Sequence, residues 1–162
     1  MVTGPVQQSS LGARSSAAPH HATGLPGEPR PAGLAGDVHA FGRAVAAPPT
    51  EPRWRDEVLL RLRPVRQGFA EHVRATEGPA GLYRELLTQS PRLHHGVRLL
   101  TREHPGITAA ILAVQRIAER PEGDLDELRY RAGHLLRSLA RHRRSGADLL
   151  WEAYQTDLGG ET

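Results

Sequence analysis

Nine histidines are the most chemically capable residues of this 162-residue chain, because it contains no cysteine. Without thiols there is no disulfide, no thiolate nucleophile, no iron–sulfur cluster and no Cys-based zinc site. Imidazole is then the borderline-soft metal donor that is left. Three of the nine, His72, His104 and His142, interrupt the apolar stripes of three amphipathic segments. A ring placed there buries its nitrogens, and each buried nitrogen needs a partner. His20 and His21 lie in a Pro/Gly-rich stretch, His39 in Asp37–Ala47, a segment able to form one turn or short helix before Pro48-Pro49, and His94, His95 and His134 beside their stripes.

Helix geometry predicts that the three inward histidines meet. Facing residues of an antiparallel helix hairpin are symmetric about its turn. His104 and His142 centre on position 123, inside the Arg120-Pro121-Glu122-Gly123 turn, and His72 and His104 centre on position 88, beside the break at 89–91. A register error of one or two residues displaces a side chain by only about 1.5–3 Å. Each ring is then either hydrogen-bonded separately within the core or shares one ligand with the other two, a metal ion being the usual one. An ion such as iron would add a carboxylate. Glu77, five residues after His72, is the candidate, unless it accepts backbone N–H groups around Gly78 or caps the next short helix. Asp148 and Glu152 fall off the His142 stripe, and Glu103, about 100° around the helix from His104, reads as a solvated residue.

The elements that would carry these residues are helical throughout. Apolar residues recur at helical spacing at Leu59, Leu62, Val65 and Phe69, with Pro64 and Gly68 predicting a kink. After Gly78-Pro79 a short piece turns Leu82, Tyr83 and Leu86 inward. Ser90-Pro91 opens a second long stripe (Leu93, Val97, Leu100, His104, Ile107, Ile111, Val114, Ala118), which Pro105 bends or restarts with Thr101 as a cap. Asp124 caps a third (Leu125, Leu128, Ala132, Leu135, Leu139, His142, Gly146, Leu149, Ala153). The expected fold is an all-α antiparallel bundle of three long helical segments over 54–162, with a short fourth element as an option. Residues 1–53, of which 15 are Pro or Gly, are expected to be a disordered tail, since 15 Pro or Gly in the following 109 is half that density.

Other chemistries are excluded by pattern. A net charge of +3 is too weak to argue for nucleic acid, and Arg137, Arg141, Arg143 and Arg144 are spread around the last helix as a solvated surface. No apolar run approaches the ~18 residues of a membrane span. No Walker A, GxGxxG, HExxH or GxSxG motif occurs, and Ser138 and Ser145 near His142 are at a spacing common by chance.

The segments FAEHVRATEGPAGLYRELL, LTREHPGITAAILAVQRIA and LARHRRSGADLLWEAYQTDLGGE resemble the hemerythrin-like (HHE cation-binding) family, and more narrowly a short bacterial branch of it. The resemblance covers about two thirds of the chain, roughly 56–162. It implies a helical bundle holding non-heme iron, mononuclear or di-iron, that binds or senses O2, NO or peroxide, or handles iron. Carried over by position, His72 with Glu77, His104 and His142 are the implied metal ligands. Where the family places carboxylates four residues after two of its histidines, this chain has Thr76 and Gly146, and the family's first ligand-bearing helix falls in the Pro/Gly-rich region. The leading expectation is therefore a cytoplasmic iron-binding bundle, with no turnover assigned and with a homodimer as one way to complete the site. The alternatives are a metal-free interaction module using Trp151, Tyr154 and Leu158, or a nucleic-acid accessory protein using the Arg-rich helix.

Overall fold

A computed structural model describes residues 33–155. Five α-helices follow one another: α1 (Leu34–Ala46), α2 (Trp54–Glu77), α3 (Leu82–Gln89), α4 (His94–Ala118) and α5 (Leu125–Gln155), with a single 3-10 turn at Pro91–Leu93 before α4. No strand occurs among the described residues. The four longest helices close a ring: α1 packs on α2, α2 on α4, α4 on α5, and α5 back on α1. The short α3 lies against α2 and the 3-10 turn. This is the expected all-α antiparallel bundle, with the fourth element present.

That fourth element corrects the expectation for residues 1–53. Residues 1–32 lie outside the described residues, as do 156–162 with Leu158, but residues 34–46 form α1 and belong to the bundle. Phe41 is completely buried, and Ala44 and Val45 are buried beside it. The indole N–H of Trp54, itself buried, donates to the Ala44 carbonyl at 2.9 Å and ties the end of α1 to the start of α2. The prolines and glycines around it masked a largely apolar helix whose buried residues, Phe41, Ala44 and Val45, share one face. The helix stops where the sequence says it must: Ala47 is extended at φ −63°, ψ 152°, ahead of Pro48-Pro49.

Both internal prolines are carried within continuous helices, so Pro105 does not restart α4 and Thr101 is not a cap. Each is flanked by anchored turns, Leu62 and Val65 around Pro64, His104 and Ile107 around Pro105, all buried. Burial on both sides offsets the hydrogen bond that each ring removes. Gly68 has a packing role. A Cβ there would come within 3.3 Å of the Leu34 side chain, so its absence lets α1 lie close on α2. Leu82, expected inward, is exposed, while Tyr83 and Leu86 point into the core as expected. Asp124 caps α5 as predicted, accepting the backbone N–H groups of Asp126 (2.8 Å) and Glu127 (3.3 Å).

The apolar interior is divided. One cluster joins α1, α2, the second half of α4 and the first half of α5, from Phe41 and Val58 to Leu128 and Leu135. The other joins α3, the start of α4 and the end of α5 through Tyr83, Leu86, Leu93, Val97, Leu100 and Leu149. Along α4 the boundary falls between Leu100 and Ile107, and along α5 between Leu139 and Leu149. His104 and His142 occupy those two gaps.

Candidate metal centre

The three histidines converge as their spacing predicts. His142 Nε2 lies 3.1 Å from His72 Nε2 and 3.2 Å from His104 Nε2. The donor nitrogens of all three fall within 4.8 Å of one another, a grouping that could hold a metal ion. His104 and His142 are buried and His72 is partly buried. Two nitrogens each about 2.0–2.1 Å from a common ion, the Zn–N distance, stand roughly 3.3 Å apart in a tetrahedral site. The two separations from His142 are close to that value, and the His72–His104 pair lies within 4.8 Å.

Phe69, one turn before His72 on α2, forms a common wall behind the rings. Its centroid is 5.8, 5.7 and 6.0 Å from those of His72, His104 and His142. Tyr83 of α3 stacks on His104 at 6.2 Å with planes 10° apart. Burial pushes the Tyr83 phenol up to about 12, so it is neutral at physiological pH. Thr76, where a carboxylate would stand in the hemerythrin-like pattern, turns its hydroxyl back on its own helix, donating to the His72 carbonyl at 2.9 Å.

The carboxylates sit outside the triad. Glu77 meets the Nδ1 of His104 from α2, and Glu103 of α4 meets the Nδ1 of His142 at 2.7 Å. Each therefore lies on the far nitrogen of an imidazole on the neighbouring helix. Glu77 is neither among the clustered donor atoms nor a cap of the next helix, and the direct-ligand role expected for it is replaced by contact with His104. Glu103, expected to be solvated, is a correction of the same kind. It does point about 100° away from His104, but that direction faces α5, where the outer nitrogen of His142 waits. Knowing which helix neighbours α4 on that side is what the linear sequence lacked. Asp148 and Glu152 stay exposed; Glu152 pairs with Arg92 at 3.0 Å. His39, on α1, is also exposed, and neither Ser138 nor Ser145 is among the recorded partners of the His142 ring.

For neutral rings these contacts favour one tautomer each. An imidazole nitrogen facing a carboxylate carries the proton, which leaves its other nitrogen as a bare lone pair. In that tautomer Nε2 of His104 and Nε2 of His142 are both acceptors, and they face each other at 3.2 Å. A cation between them resolves that conflict, and a metal ion serves His72 as well. Carboxylate–imidazole–metal triads have this arrangement: the outer carboxylate fixes ring orientation and raises ligand basicity. The His72 imidazole is held below its ordinary value of 6.5, chiefly by burial and then by repulsion from His142 and His104, with Glu77 acting oppositely. A neutral ring is the form that ligates.

No family model, curated protein or solved structure matches this chain.

Proposed function

We propose that the protein binds one metal ion through His72, His104 and His142, in the manner of a hemerythrin-like bundle, and that the ion is iron serving to bind or sense a small oxidant such as O2, NO or peroxide. The observation that carries the reading is the convergence of the three imidazoles, with Nε2 of His104 and of His142 face to face at 3.2 Å and a carboxylate on the outer nitrogen of each. An all-nitrogen neutral set suits borderline divalent ions, including iron, zinc, copper and nickel. The resemblance of the three histidine-bearing segments to the hemerythrin-like family favours iron among them. With both glutamates on outer nitrogens, the donor set supports a mononuclear site, and three protein ligands leave positions for a small molecule. A bound iron would supply the redox and ligand-binding chemistry. The protein's own residues orient the three nitrogens, balance the charge through Glu77 and Glu103, and wall the site with Phe69.

Elemental analysis of tag-free protein reconstituted with ferrous iron under anaerobic conditions tests this. The expected result is one iron per chain in the wild type and none retained in His104→Ala or His142→Ala. Two irons per chain would replace the mononuclear reading, and no retained metal of any kind would leave a metal-free bundle.

A further inference from the structure

Beside the triad, on the face where α1 crosses α2 and α5, the bundle has a partly open cavity of about 370 Å³. Its floor is made of buried Phe69 and Leu139 with the rings of His72 and His142, and its rim carries His39 and Arg143. A water occupies about 30 Å³ of liquid, so the space is that of roughly a dozen waters, an order of magnitude more than a diatomic molecule requires. A largely apolar lining with an arginine at the rim is matched to a molecule with an apolar body and a negative end. Arg143 is exposed, and among the described residues no ion pair of Arg143 is recorded. Its charge is therefore available to a ligand.

We infer that this cavity binds a small organic monocarboxylate whose aliphatic or aromatic body lies on Phe69 and Leu139 and whose carboxylate reaches Arg143 at the rim. The inference stands beside the metal reading and does not depend on it, although the two sites share His72 and His142. A body seated there lies against the same two imidazoles that would hold the ion, so the cavity would place an organic molecule next to the metal centre. The occupant is an acid rather than an amine because the ionisable groups at the rim are an arginine and a histidine.

Calorimetric titration of the full-length chain with octanoate, octan-1-ol and octylammonium, each below its micelle concentration, tests the assignment with and without ferrous iron. Octanoate should bind one per chain in both states, ahead of the alcohol, with octylammonium weakest. Arg143→Ala should weaken octanoate up to about fivefold, as expected of an exposed charge pair, and leave octanol unchanged. Ala35→Trp adds bulk at an exposed position lining the cavity, so the fold should survive while both octanoate and octanol lose about tenfold or more. Equal binding of octanoate and octylammonium would overturn the acid assignment. Octanoate binding untouched by Ala35→Trp, or no binding in either metal state, would overturn the cavity itself. Octanoate binding by a protein that fails to retain any metal after reconstitution would sink the metal reading and leave this one standing.

Discussion

Each glutamate of the centre acts on a histidine of a different helix, and that fixes what its loss should do. Glu77 on α2 serves His104 on α4, and Glu103 on α4 serves His142 on α5. Neither supplies a clustered donor atom, so removing one should weaken the metal without abolishing it. Glu103→Ala and Glu77→Ala are each expected to lower metal affinity by the ~10–100-fold typical of outer partners of ligating histidines, measured by competition with a chelator. Complete loss in Glu77→Ala would make Glu77 a direct ligand after all. The depressed His72 imidazole gives a second prediction. Its unfolded form binds a proton near 6.5 and its folded form only at lower pH, so between those values the unfolded chain carries more protons. Stability of the metal-free protein should be fully present above about pH 6.5 and decline as pH falls through that window, and the decline should shrink in His72→Gln. Melting temperatures from pH 7.5 to 5 check this; identical slopes in the two proteins would refute it.

Among the elements, the histidine stripes were readable because burial of one helix face imposes a period that sequence displays directly. Hairpin symmetry then placed His104 opposite His142, and the 3.2 Å separation follows from it. What could not be read were relations between neighbouring helices that leave no periodic trace. Glu103 flanks its stripe, and only the packing of α5 against α4 makes its direction useful. Arg55 is similar: its guanidinium reaches across to donate to the carbonyls of Ile117, Arg120 and Gly123 at the end of α4. A Cβ at Gly123 would stand 2.9 Å from that guanidinium and also from the Ile117 carbonyl oxygen, a backbone atom that cannot easily give way, so the turn favours glycine. The sequence offered a short helix over Asp37–Ala47, but the prolines and glycines around it dominate any average over residues 1–53 and hid that α1 belongs to the core. Its packing predicts that deleting residues 1–50 lowers the melting temperature by several degrees, because Phe41, Ala44 and Val45 leave the core and expose its α2 and α5 faces. Phe41→Ala in the full chain should reproduce much of that loss, about 3–5 kcal/mol for a fully buried phenylalanine. An unchanged melting temperature in both would mean that α1 contributes nothing to the fold.

For the whole molecule, the three histidines form a polar layer between two apolar clusters, contributed by α2, α4 and α5. Without a cation this layer is a weak seam, with two imidazole lone pairs opposed where apolar contacts would otherwise continue. With one, it becomes a cross-link joining three of the four long helices. The metal should therefore act as a stability ligand for the entire bundle, adding about 4 kcal/mol when its free concentration is a thousand times its Kd. His142→Leu separates the two states by sign. It fills the gap between Leu139 and Leu149 with an apolar side chain that favours helix, and it removes one lone pair from the conflict. Glu103 keeps its access to water, since a third of its side chain is exposed. The metal-free variant should therefore melt at or above the temperature of metal-free wild type, while added ferrous iron should raise the melting temperature of wild type alone. If iron stabilises both proteins equally, the ion is bound elsewhere. If His142→Leu melts several degrees below metal-free wild type, the triad is a hydrogen-bonded core that holds itself together, and the bundle has no need of a metal at this level.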